Sequence, residues 1–199
     1  MLLRFISFYA LLAFLFTLLS WGHAEPQGRL PNASTELAVH LLLHLALGVA
    51  AALPSRRLSL MAASGLAVLV IDVDHIGWGV GIPTVSHASH SVGFALLVGA
   101  TTWALARRGF FPGVPPLLLA AVAAASVPAH MAADAISSGR VPLWAPVTFA
   151  RVDLSPPLAV LFMLGAMLLV WGALALCRRG PKVDVLIQAK RLSGGASNG

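Results

Sequence analysis

Residues 58–106 read LSLMAASGLAVLVIDVDHIGWGVGIPTVSHASHSVGFALLVGATTWALA. An apolar run leads into a connector, residues 72–91, that holds two aspartates and three histidines, and a second apolar run follows. The surrounding chain is 58% hydrophobic and 10% charged, with a mean hydropathy of +0.87, far from the composition of an average soluble domain. The two runs therefore read as membrane helices, and the connector as the place where scarce ionisable groups gather at a membrane face.

Working outward, further apolar runs lie at about 5–20, 37–53, 115–133 and 157–177. A spanning helix needs roughly 17–25 apolar residues, which these four supply. The runs at 58–71 and 92–106 reach that length only if polar residues at one end sit in the interface, satisfied by neighbouring helices or a water-filled cavity. The expected fold is an all-α integral membrane protein of about six transmembrane helices with short loops.

Charge orients it. Arg4 precedes the first run, Arg56 and Arg57 follow the second, Arg107 and Arg108 the fourth, and Arg178, Arg179 and Lys182 the sixth. By the positive-inside rule these points are cytoplasmic, so both termini are expected inside, with Arg29, Arg140 and Arg151 outside. Six of the seven acidic residues then lie outside and only Asp184 inside. The net charge of +6 thus marks orientation. Without a basic patch carrying interleaved aromatics, no nucleic-acid partner is expected.

The opening MLLRFISFYALLAFLFTLLSWGHAEP has two readings, a cleaved signal peptide, leaving five helices, or an uncleaved first helix, which its long apolar run favours. The chain accordingly divides into this N-terminal segment, 1–24, a membrane-embedded body, 25–180, and a Gly/Ser-rich cytoplasmic tail, 181–199, expected to be flexible. Cys177 is the single cysteine, which excludes a disulfide framework and a CxxC metal knuckle.

On this topology the ionisable groups converge. His40 and His44 lie near the start of the second helix, Asp72, Asp74 and His75 close the third, His87 and His90 open the fourth, and His130 and Asp134 end the fifth. Four helices thereby deliver ligand-type side chains to the outer face. The spacings agree: four residues within His40/His44 and His130/Asp134, three within His87/His90, each pair projecting from one helical face. Neutral imidazole and carboxylate suit zinc and other first-row divalent ions. More than four candidates permits two ions, about 3.5–4 Å apart and bridged by a carboxylate, an arrangement that serves phosphoester hydrolysis. Each residue also has a plainer reading: an interfacial polar group, an Asp turn, or for Ser86 and Ser89 a cap on the fourth helix. Convergence of six of the seven histidines on one side favours the metal site.

The same motifs resemble the YdjM-like family of predicted membrane-bound metal-dependent hydrolases. The resemblance rests on HLALG at 44–48, DVDH at 72–75, HS at 90–91 and HMAADAISSGRVPLWAP at 130–146, in that order. Ile71 stands where the family usually has proline, and VSHA where a basic residue is frequent. The resemblance implies a hydrolase with a divalent metal, zinc or alternatively manganese, as one or two ions. The expected ligands are His44, Asp74, His75, His90, His130 and Asp134, with His40 and His87 in reserve, and Asp72 as general base or bridging ligand. Arg140 and Arg151 flank VPLWAPVTFA, where a planar guanidinium can hold a phosphate or simply reach lipid headgroups. The expected substrate is a phosphoester or other ester of a membrane lipid or lipid-linked molecule. The expected location is the cytoplasmic (inner) membrane of a prokaryote, with the site facing out. The alternative is a divalent-metal transporter or a metal-binding membrane protein without hydrolytic activity; a transporter would favour ionisable groups near the midplane with access from both sides.

Overall fold

Small side chains let helices approach closely in an apolar solvent, and the alanine-rich run from Pro116 to Ile136 becomes the helix around which the others assemble. The computed structural model describes residues 1–23, 25–26, 34–72, 84–85, 87–136 and 139–179. Among them are six α-helices: α1 Leu2–Leu19, α2 Ser34–Ala52, α3 Leu58–Ile71, α4 Val92–Arg107, α5 Pro116–Ile136 and α6 Pro156–Arg179. Two short antiparallel ladders join connections: β1 Glu25–Pro26 with β2 Thr84–Val85, and β3 Arg140–Val141 with β4 Val152–Asp153. Helix α5 packs against α2, α3, α4 and α6 and is buried on nearly every side.

The six apolar runs of the sequence are these six helices. Four of them, α1, α2, α5 and α6, are long and apolar enough to cross a membrane. The 14-residue α3 and 16-residue α4 rise about 21 and 24 Å, short of the ~30 Å hydrocarbon core. Both stop at the same end of the bundle, where Ile71 closes α3 and Val92 opens α4.

Two glycines bring α2 and α3 together. A Cβ added at Gly48 would stand 2.7 Å from Val68 Cγ2, 2.8 Å from the Cα of Gly65 and 2.8 Å from the carbonyl oxygen of Ser64. One at Gly65 would meet Leu45 and Val49 at 2.9 Å each. This crossing lies one turn from His44 and less than two from Asp72, so it sets how closely those two residues approach.

Helix α1 is part of the bundle. Its buried residues Phe5, Tyr9, Ala13 and Thr17 recur every fourth position, one stripe of a helix. The Tyr9 ring meets Phe94 edge-on with centroids 5.8 Å apart, Phe16 lies 5.4 Å from Phe94, and Phe5 packs on Phe111. On the far side of α5, an apolar groove of about 790 Å³ runs between α4 and α6, from Val92 and Met131 to Trp103 and Leu176.

Candidate metal centre

Six side chains from four segments meet at the end of the bundle where α3 and α4 stop. Helix α2 supplies His40 and His44, and their ring centroids lie 4.1 Å apart, as i,i+4 spacing allows. Helix α5 supplies His130 and Asp134 in the same way. Asp72 is the C-cap of α3. His90 precedes α4, whose start is fixed from two directions: Ser91 Oγ accepts from the Phe94 N–H at 3.1 Å, and the Val92 N–H donates to the Leu143 carbonyl at 2.9 Å. Gly93 lies directly beneath the Ala145 carbonyl, where no Cβ would fit.

The orientation of each ring follows from its outer nitrogen. His44 Nδ1 lies 2.9 Å from the His40 carbonyl oxygen, and His130 Nδ1 lies 2.9 Å from that of Val68. A carbonyl only accepts, so both Nδ1 atoms carry the proton. Ser89 Oγ donates to the Ile71 carbonyl at 3.1 Å and therefore accepts from His90 Nδ1, 3.3 Å away. The acceptors Val68 and Ile71 belong to the last turn of α3, where carbonyls lack helical partners. In neutral rings these bonds turn the Nε2 lone pair of each of the three inward.

Those lone pairs face one another and two carboxylates. His130 Nε2 stands 2.9 Å from His90 Nε2, 3.3 Å from Asp72 Oδ1 and 3.5 Å from Asp134 Oδ2. His90 Nε2 stands 3.4 Å from Asp72 Oδ1 and 3.7 Å from Asp134 Oδ2. His44 Nε2 is 3.4 Å from Asp134 Oδ1 and, although buried, makes no hydrogen bond. His40 Nε2 is 3.7 Å from Asp72 Oδ2. Direct N–H···O bonds cluster near 2.9–3.0 Å. Two ligands each ~2.1 Å from one tetrahedral ion are instead about 3.4 Å apart. The spacing of the imidazole–carboxylate pairs is that of groups sharing a cation. Three overlapping sets, His40/His44/Asp72, His44/His130/Asp134 and Asp72/His90/His130, bring their ligand atoms within 4.8 Å of one another. The His/Asp groups are thus positioned to hold a metal ion.

Exposure gives the centre a direction. The side chains of His44, His90 and His130 are 0–1% exposed, those of Asp72 and Asp134 18% and 15%, and that of His40 35%. The three imidazoles form the floor; the carboxylates and His40 form the rim.

Of the residues expected from sequence, His40, His44, Asp72, His90, His130 and Asp134 come together here, while Asp74 and His75 lie outside the described residues. His87 and His90 were expected one turn apart on a helix. Both instead precede α4 in a turn, with His87 at φ 51°, so the i,i+3 reasoning does not apply. The His87 ring is buried, 4.8 Å from that of His90, and belongs to none of the three ligand sets. The cap of α4 is Ser91 rather than Ser89, because the Ser89 hydroxyl is turned to Ile71 and His90; Ser86 lies outside the described residues. Arg140 Nε pairs with Asp153 at 2.6 Å across the β3–β4 ladder, with 63% of its side chain exposed. The role of Ser89 escaped the sequence reading, since a serine between two histidines carries no signature of its own.

The chain matches no protein-family model, and no curated protein and no solved structure is significantly similar to it.

Proposed function

We propose that this protein is an integral-membrane, metal-dependent hydrolase that cleaves a phosphoester or other ester of a lipid or lipid-linked molecule, in keeping with its resemblance to the YdjM-like family. In this reading all six helices span the cytoplasmic membrane of a prokaryote, both termini are cytoplasmic, and the centre faces the extracytoplasmic side. The observation that carries it is the convergence of three imidazole Nε2 atoms and two carboxylates in a low-dielectric surrounding, with the imidazole–carboxylate pairs at cation-sharing distances. Such a donor set is strongly repulsive until a cation occupies it. Zinc is the favoured ion and manganese the alternative, because the donors are imidazole nitrogen and carboxylate oxygen without thiolate.

A bound divalent ion supplies Lewis-acid polarisation of the ester oxygen and a water of lowered pKa. The protein's part is positional. His44, His90 and His130 hold the floor rigid through their Nδ1–H bonds. Asp72, facing His40, His90 and His130, would help hold the ion in preference to acting as a free general base. Asp134 stands at the same rim and the pair orients a water there. Arg140 is already engaged by Asp153 and is left to the ladder; a phosphate-holding role would require it to exchange that partner.

The short helices support a membrane-borne substrate. With their cytoplasmic ends at the membrane face, α3 and α4 fall about 6–9 Å short of the ~30 Å hydrocarbon core, so the centre is recessed to ester depth rather than displayed in water. The groove beside α5 supports a lipid chain as its occupant. It follows α4 from Val92 to Trp103, about 17 Å, and every side chain lining it is apolar. Its outer end is formed by Val92 and Met131, two residues from the centre's His90 and next to its His130. A transporter reading finds less support: among the described residues, the buried polar groups toward the opposite end are Ser55, Ser64, Thr102 and Ser126, none of which is a strong divalent ligand.

The test is elemental mass spectrometry of detergent-purified protein beside the double variant His130→Ala, Asp134→Ala, followed by hydrolysis assays on phospholipid and phosphoester panels. Wild type should retain zinc or manganese and release product, and the variant neither. Failure of wild type to retain metal after zinc or manganese is supplied overturns the reading.

A further inference from the structure

We propose that the centre is dinuclear, with a second cation site built from His40 and His44 beside one built from His90 and His130, and with Asp72 and Asp134 shared between them. The inference rests on the metal-centre part of the function proposed above and not on hydrolysis. Its basis is how the four carboxylate oxygens are distributed. Asp72 turns Oδ1 to His90 and His130, at 3.4 and 3.3 Å, and Oδ2 to His40 at 3.7 Å. Asp134 turns Oδ2 to the same His90 and His130, at 3.7 and 3.5 Å, and Oδ1 to His44 at 3.4 Å.

Each aspartate thus presents one oxygen to the His90/His130 pair and the other to one member of the His40/His44 pair. A single ion would not need this division. An ion held by His90 and His130 takes one oxygen from each carboxylate and leaves Asp72 Oδ2, Asp134 Oδ1 and the His40 and His44 rings facing one another. The buried His44 Nε2, without a hydrogen bond, would then remain an unsatisfied lone pair against a carboxylate, which is costly in a low-dielectric interior. A second ion satisfies all of them, giving each site two imidazoles and two carboxylate oxygens, a usual ligand number for zinc. Carboxylate bridges of this kind hold metals about 3.5–4 Å apart. The two sites differ in access, since the His90/His130 pair is fully buried and His40 stands at the exposed rim. The rim site is therefore the one that water and ester reach, and the one that exchanges its ion more readily.

The experiment titrates the detergent-purified full chain with manganese chloride alone, reading bound equivalents by elemental mass spectrometry and spin coupling by electron paramagnetic resonance. Wild type should saturate at two equivalents with an exchange-coupled signal. His40→Ala, a rim change that the fold should tolerate, should fall to one equivalent with an uncoupled six-line signal. One equivalent in wild type at saturation, or an uncoupled signal from it, overturns the proposal, as does a monodisperse His40→Ala protein that still binds two. If two coupled ions are found and no ester is cleaved, the hydrolase reading fails while the dinuclear site stands.

Discussion

Substituting Gly48 by alanine tests whether helix packing sets the geometry of the centre. The new Cβ would lie 2.7–2.8 Å from Val68 Cγ2, the Gly65 Cα and the Ser64 carbonyl oxygen. Two of these three are backbone atoms, so no side-chain rotation relieves the contact. Restoring an ordinary separation of about 3.4 Å moves α2 away from α3 by about 0.6–0.7 Å. His44 moves with α2, and the Val68 carbonyl that orients His130 stays with α3. Metal-ligand distances tolerate only about ±0.2 Å, so zinc affinity should fall by about 10–100-fold, the loss expected when a ligand's support is disturbed. Stability separates the causes. Alanine for glycine inside a helix gains about 0.5–1 kcal/mol by propensity alone, and Gly165→Ala and Gly172→Ala, which meet nothing within 4 Å, should show that gain. Gly48→Ala carries the same gain offset by overpacking of about 1–3 kcal/mol, so it should melt below both controls. Zinc competition against a chromophoric chelator and thermal unfolding in detergent measure the two effects. Equal stability and equal zinc affinity for Gly48→Ala and Gly165→Ala would refute the link between the crossing and the centre.

Three further outcomes are expected. Ser89→Ala removes the hydroxyl that holds His90 Nδ1 and should weaken zinc binding about 10–100-fold while leaving the number of ions at saturation unchanged, as read by equilibrium dialysis. Chelation should lower the thermal midpoint of the native protein, because an ion present at 1,000 times its dissociation constant contributes about 4 kcal/mol; an identical midpoint with and without chelator would argue against a folded-state metal site. Arg140→Ala breaks an exposed ion pair with Asp153 and should shift stability by no more than about 1 kcal/mol with metal content unaltered; a larger shift in thermal unfolding would mean that the β3–β4 ladder has a structural role beyond its exposed pair.

Much of this was legible in the chain because membrane helices announce themselves by composition and because i,i+4 spacing is a property of the helix itself. His40 with His44, and His130 with Asp134, could be placed on one face before any fold was known. His87 with His90 could not, since the same arithmetic fails once the chain leaves the helix, and nothing local distinguishes a turn ending at Ser91 from a helix beginning at Ser86. The stripe of Phe5, Tyr9, Ala13 and Thr17 was present in the sequence. Its meaning depends on Phe94 and Phe111, far along the chain, so a signal peptide and a packed helix looked alike. The glycine crossing was half visible: Gly48 belongs to a motif, but Gly65, its partner, is an unremarked glycine in an apolar run.

The carbonyls of Val68 and Ile71, which orient His130 and His90 directly or through Ser89, are main chain. No side-chain substitution deletes them, so an alanine scan would pass over half of what holds the floor of the centre in place. Transplanting the six ligand side chains onto another helical bundle would copy the donors without their tautomers, unless a helix also ended at that depth and pointed its last carbonyls at the rings. What the chain encodes here is a stopping point: the end of α3 supplies the acceptors that keep His130 and, through Ser89, His90 ready for a cation.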